Sequence, residues 1–92
     1  MIDYQIGQIV KSRAGRDKGN LFVIIDKNNE YVYLVDGKIR KMDHPKKKKV
    51  KHIEATNYID SNIVNKINSD QKIVNADIRK ALQLYEIEPN KI

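Results

Sequence analysis

The side chains best suited to chemistry in this chain are cationic, and they concentrate in two segments. The first is Gly7-Gln8-Ile9-Val10-Lys11-Ser12-Arg13-Ala14-Gly15-Arg16-Asp17-Lys18-Gly19. A glycine leads into a short apolar stretch, and a basic, glycine-containing loop follows it. Gly15 and Gly19 permit a sharp turn and let the backbone approach a phosphate with no Cβ in the way. Lys11, Arg13, Arg16 and Lys18 supply positive charge. The spacing is not that of a Walker P-loop, which needs Gly-x-x-x-x-Gly-Lys-Ser/Thr leading into a helix. The second segment is Lys46-Lys47-Lys48-Lys49, with Lys51 just beyond it. Adjacent lysines repel one another, and a phosphate backbone relieves that repulsion while releasing counterions. Taken singly, each segment also reads as ordinary surface: a turn with scattered charge, or a solvated lysine loop without a ligand.

The overall charge favours the binding reading. The 92 residues carry 18 Lys+Arg and 12 Asp+Glu, a net of +6, which points to a polyanionic partner. Residues 1–53 hold a net of +7 and residues 54–92 a net of −1. The excess is densest from Lys38 to His52, where eight basic residues and two histidines accompany one acid, Asp43. A basic working half and a near-neutral structural half are expected.

Other chemistries have little to stand on. The chain has no cysteine, which removes disulfides, zinc–thiolate sites and thiol catalysis. His44 and His52 are too far apart for a helical metal pair and have no carboxylate triplet beside them. Either histidine can instead donate to a phosphate or stack on a base. Ser12 lies near Asp17 without a histidine in sequence, and no pair of groups is placed for acid–base or nucleophilic work. No catalysis and no cofactor are expected. Tyr31 and Tyr33 share a strand face; the pair reads as core or helix-covered surface in preference to a base-stacking platform. Tyr4, Tyr58 and Tyr85 read as anchors for the ends of the chain.

The elements that must position these residues divide by halves. Gln5 to Lys11 reads as a strand and Ser12 to Asn20 as a loop. Leu21-Phe22-Val23-Ile24-Ile25 is a β-branched apolar run and reads as a strand. Asp26 to Glu30 reads as a hairpin turn, with Asn28 or Asn29 in the left-handed conformation. Tyr31 to Val35 is the return strand. Asp36-Gly37 signals a two-residue turn into a fourth strand, Lys38 to Met42. Pro45 interrupts pairing, and Val50 to Ile53 reads as a last short strand. Strands this short and closely spaced predict a small antiparallel barrel. Beyond them, Asp60 or Ser61 caps a helix through Ile63, Val64 and Ile67 that Asn68-Ser69-Asp70 stops. Asn75 caps a second helix, from Ala76 to about Tyr85, with Ile78, Ala81, Leu82 and Tyr85 on one face. The run at 21–25 is apolar on both faces, so the outward face needs a cover, and the two helices are expected to supply part of it.

The order of these features resembles a known family. The segment from Gly7 to Gly19 looks like a KOW motif, found in ribosomal proteins and transcription elongation factors. Ala14-Gly15-Arg16-Asp17-Lys18-Gly19, the strand at 21–25, Asp36-Gly37-Lys38-Ile39-Arg40-Lys41 and Pro45-Lys46-Lys47-Lys48-Lys49-Val50-Lys51-His52 follow one another in a familiar series. Residues 7–52 resemble the small bacterial KOW-domain RNA-binding proteins. They are similar, more distantly, to the fourteenth-type large-subunit ribosomal protein of archaea and eukaryotes. The resemblance implies a mainly β chain with added α structure: an SH3-like barrel over residues 1–55 and a two-helix extension over 56–92, packed as one folding unit. It also implies binding to RNA, ribosomal RNA in particular, and association with the large ribosomal subunit or its assembly. The implied contacts are Arg13, Gly15, Arg16, Lys18, Lys38, Arg40, Lys41 and Lys46, Lys47, Lys48 and Lys49. Lys11 and Lys51 join them by position and charge, and His44 as a donor to phosphate or a stacking ring. Asn20 departs from the pattern, standing where a basic residue is common.

A protein-binding barrel is the alternative, since KOW domains also meet protein partners. Membrane binding by the lysine run is a weaker one, with no amphipathic basic helix beside it. The segment Met1-Ile2-Asp3-Tyr4-Gln5 lacks the layout of a signal peptide, so a cytoplasmic, monomeric protein is expected.

Overall fold

The computed structural model describes residues 4–87. Five strands precede two helices: β1 (Gln8–Ser12), β2 (Leu21–Asn28), β3 (Tyr31–Val35), β4 (Lys46–Lys49), β5 (Ile53–Ile59), α1 (Ser61–Asn68) and α2 (Asn75–Ile87). A single 3-10 turn, Val50–His52, links β4 to β5. The strands form one antiparallel sheet in the order β4-β3-β2-β1-β5.

That order constrains the shape. β4 and β5 occupy opposite edges, which a flat five-stranded sheet would hold roughly 19 Å apart, at ~4.8 Å per spacing. A 3-10 turn advances only about 2 Å per residue, so three residues cannot cross that gap. The sheet is therefore curled, with its edges brought toward each other. An irregularity in the β2–β3 register between Ile24 and Asp26 and another in β1–β5 between Gln8 and Val10 supply bends. The second is held by side chains: Gln8 Nε2 donates to the Thr56 carbonyl at 2.9 Å, and Thr56 Oγ1 to the Ile9 carbonyl at 2.7 Å.

The centre of the sheet is buried on both faces because its central strands are apolar on both there. Val10, Phe22, Ile24, Val32, Leu34 and Ile53 form the cluster on one face, with Tyr4, Val50 and Ala55 at its margin. Ile9, Val23 and Val35 form the other with Ile63 of α1 and Ile78 and Ala81 of α2. The helices thus cover the face that alternation along β2 leaves exposed. Asp60 caps α1, its carboxylate accepting from the Ile63 N–H at 3.0 Å. Asp77 joins the helices: its carboxylate accepts from the Val74 N–H at 2.9 Å and meets Lys66 Nζ at 2.9 Å. The Val74 hydrogen bond and the Lys66 hydrogen bond and charge outweigh burial and lower its pKa below the ordinary carboxylate value. Tyr58 and Tyr85 meet edge to face, with ring centroids 5.5 Å apart.

Three expectations are corrected. Residues 38–42 are not a strand. The Asp36 carboxylate accepts from the N–H groups of Lys38, Ile39 and Arg40 at 2.8–3.0 Å, curling the chain into a compact loop that leaves Ile39 85% exposed. Gly37 turns there with φ +79°, and a Cβ on it would lie 2.7 Å from the Asn75 carbonyl, so only glycine lets this loop press on α2. The fourth strand is instead the lysine run itself. The fifth is longer than expected: Val50–His52 is a 3-10 turn, and β5 runs from Ile53 to Ile59, across position 55. Asn75 does not cap α2 with its own side chain. Its Oδ1 accepts from the Met42 N–H at 2.8 Å and ties the 36–44 loop to the helix.

Burial of Ile78 against Ile9, Val23 and Val35 makes sheet and helices interdependent. Ile78→Ala is expected to cost about 3 kcal/mol. In urea unfolding, tyrosine fluorescence and far-ultraviolet dichroism should move together to a lower midpoint. An unchanged sheet transition would show the helices to be an independent appendage.

Candidate nucleic-acid interface

β4 is a strand of four lysines, and strand alternation sorts them. Val32 and Leu34 lie opposite Lys48 and Lys46, while Tyr31 and Tyr33 lie opposite Lys49 and Lys47. Directly opposed residues share a face. Lys46 and Lys48 therefore turn toward the curled interior with Val32 and Leu34, and Lys47 and Lys49 turn outward with the tyrosines.

The inward pair converges on one carboxylate. Lys48 Nζ lies 2.7 Å from Asp17 Oδ1, and Lys46 Nζ lies 2.6 Å from Asp17 Oδ2. The Lys46 contact is a charge contact without the alignment of a directed hydrogen bond. Lys48 also donates to the Ala14 carbonyl at 2.8 Å, and Ser12 Oγ donates to Asp17 Oδ1 at 2.7 Å. Side-chain exposure is 9% at Lys48, 11% at Asp17 and 28% at Lys46, so the Asp17–Lys48 pair is nearly dry and Lys46 lies at its margin. Burial by itself raises the Asp17 pKa. The close Lys46 contact, the hydrogen bonds from Lys48 and Ser12 and the Lys48 charge outweigh it and hold the carboxyl well below the usual carboxylate range. The lysine run is thus not a strip of uniformly solvated charge: two of its four ammonium groups share one carboxylate from the basic loop.

This clamp makes the 13–20 loop a hub. The Ser12 N–H donates to the Asn20 carbonyl and the Gly19 N–H to the Ser12 carbonyl, closing the loop on its own base. Gly15 takes φ +87°, which sets the Ala14 carbonyl toward Lys48. The Arg13 N–H donates to the His52 carbonyl at 2.8 Å, so the loop also touches the 3-10 turn. Arg13 and Lys51 line one shallow groove with Tyr4 and Glu54. On the other side, Gly19, Asn20, Lys38, Arg79 and Leu82 line a groove of about 720 Å³ between the loop, the 36–40 turn and α2.

The expected contact residues therefore separate. Arg13, Gly15, Arg16, Lys18 and Lys51 are exposed in or beside the hub, with Lys38 across the larger groove. Lys11 is exposed on β1, opposite Glu54. Arg40 is half-buried and Lys41 exposed in the 36–44 loop, and His44 there lies 3.5 Å from Asp43. Among the described residues, none of these lysines and arginines makes an ion pair. No group of three or more His, Cys, Asp or Glu stands together to hold a metal among the described residues. No helix among them is long and apolar enough to cross a membrane.

Two features escape a reading from sequence. Asp17 is legible there only as an acid near Ser12, and its one signal is its sign, a lone negative charge inside a basic loop. Tyr31 and Tyr33 belong to neither core cluster and are half-buried on the outward face. The expectation of core or helix-covered positions is corrected because the helices stop at Val35 on this strand. Lys47 Nζ sits 4.3 Å from the Tyr31 ring centroid, an exposed contact that contributes about 0.5–1 kcal/mol.

No protein-family model matches the chain, and no curated protein matches it.

The Asp17 cluster carries a pH signature. A carboxyl held below its ordinary value of 3.8 stabilises the fold fully above about pH 4, and that contribution is lost as pH falls further. Asp17→Asn is expected to cost on the order of 3 kcal/mol at neutral pH, because it leaves two lysines facing each other without a counter-charge. The variant should also lose part of the wild-type acid dependence in thermal melts between pH 5 and about pH 2. A wild-type melting temperature that is flat across that range would contradict the clamp.

Proposed function

We propose that this chain binds RNA through the basic hub and the outward lysines of β4. The observation that carries the reading is the Asp17 clamp. It fastens the 13–20 loop to β4, so Arg13, Arg16, Lys18, Lys47 and Lys49 rise from one connected piece of structure. Preorganised cations bind a polyanion at lower entropic cost than cations on a mobile loop. Lys47, Lys49 and Lys18 act as point charges on phosphates, and Arg13 and Arg16 add forked contacts to phosphates or stack on exposed bases. Lys46 and Lys48 serve the interface from beneath, as the supports of the loop.

The finer fold reading belongs to the same proposal. A curled five-stranded sheet in the order β4-β3-β2-β1-β5, with a 3-10 turn before the last strand, is what an SH3-like barrel requires, and the basic glycine loop after β1 is where a KOW motif would lie. On that reading the RNA is structured ribosomal RNA and the setting is the large ribosomal subunit or its assembly, in the cytoplasm.

The test is salt dependence. Neutralising about six phosphates gives a slope of log affinity against log salt near −4 to −5. Lys47→Gln with Lys49→Gln should weaken binding to every RNA and flatten the slope by about one to two, with the melting temperature unchanged. Lys48→Gln should instead lower the melting temperature first. Salt-insensitive binding, or no RNA binding at low salt, would overturn the proposal.

A further inference from the structure

We propose that the outward face of β2, β3 and β4 is a second contact surface that takes a short single-stranded RNA segment by stacking its bases on Tyr31 and Tyr33. This rests on the RNA-binding reading and adds to it a substrate class and a place. The sheet register builds two parallel rows across three strands: Asn28, Tyr31 and Lys49 in one, Asp26, Tyr33 and Lys47 in the other. Each row sets an aromatic ring between a lysine and a side chain able to hydrogen-bond a base edge. The rings stand two residues apart on one strand, about 7 Å by strand rise. Neither packs on a core cluster, and Asp26, Asn28, Lys47 and Lys49 are all exposed.

The Tyr31 ring is reachable from solvent, since the exposed Lys47 ammonium already rests over it, and Tyr33 is half-buried beside it. That contact is weaker than base stacking on a tyrosine. A base therefore displaces the ammonium from the ring, and the ammonium moves to the phosphate. The charge pattern sets the orientation: phosphates run over β4, where the lysines are, and base edges point to β2, where the Asp26 carboxylate repels phosphate and accepts from base N–H groups. Duplex RNA offers no unstacked base to this face.

The experiment compares labelled oligouridine of about eight nucleotides with a fully paired RNA of about 16 base pairs at one salt concentration. Replacing both rings, Tyr31→Thr with Tyr33→Thr, puts β-branched strand formers in their place. It should weaken oligouridine binding at least tenfold and change duplex binding less than twofold. Tyr31→Phe with Tyr33→Phe keeps the rings and should bind both probes as the wild type does. Oligouridine should also quench the tyrosine emission of the wild type, which has no tryptophan to mask it. The inference is overturned if the threonine variant binds oligouridine as tightly as the wild type, if it loses both probes equally, or if the phenylalanine variant loses as much. Wild-type binding to duplex alone overturns this inference and leaves the RNA reading standing; binding to neither probe overturns both.

Discussion

Asp17 is the residue on which the arrangement turns. Its carboxylate faces two lysines of an edge strand and a serine at the end of the first strand, in a nearly dry setting. A charge withdrawn from water in this way is tolerated only when it is paired and hydrogen-bonded, and here the partners come from two strands, β1 and β4. Without it, β4 would present two ammonium groups to the apolar interior beside Val32 and Leu34. With it, a tetralysine becomes a strand, the sheet gains an edge, and the basic loop gains a fixed position. The lysines that remain outward also discourage pairing of that edge with another chain.

The consequence for function is a division of labour set by strand geometry. A period of two sends alternate lysines to opposite faces, so adjacent residues of one type have different work. Lys48 lends its charge to folding, whereas Lys47 and Lys49 keep theirs exposed, where the proposed RNA would meet them. The net of +6 thus overstates what a partner meets in one place and understates how well that charge is placed. Arg13, Arg16 and Lys18 are aimed by the same acid that lowers the loop's charge.

Much of the fold was legible because it follows from local pattern. Apolar residues on both sides of Leu21–Ile25 called for a cover, and α1 and α2 provide it. Asp60 and the Asn68-Ser69-Asp70 stop marked the first helix within a residue. The positive φ at Asn29 fell where a hairpin needed it. What was hidden is non-local. Four lysines carry no apolar alternation, so nothing in them reads as a strand until Val32, Leu34 and Asp17 are placed opposite. Asp36-Gly37 resembles a hairpin turn, but the Asp36 side chain captures three successive N–H groups and ends the strand there. β5 opens with a single buried isoleucine and then mixes Glu54, Thr56 and Asn57, so its pairing with β1 is a tertiary fact. For the candidate site, the sequence located the basic segments. It did not reveal which cations are spent internally, because that depends on which side of a strand each one faces.

The most direct measurement is residue-resolved lysine reactivity toward a small amine-modifying reagent, read by mass spectrometry with and without RNA at neutral pH. In the free protein Lys47 and Lys49 should react readily and Lys48 should be the slowest of the four, with Lys46 between. Added RNA should then protect Lys47 and Lys49 and leave Lys48 as it was. Equal reactivity at all four positions would contradict the clamp, and unchanged reactivity at Lys47 and Lys49 under saturating RNA would contradict the interface built upon it.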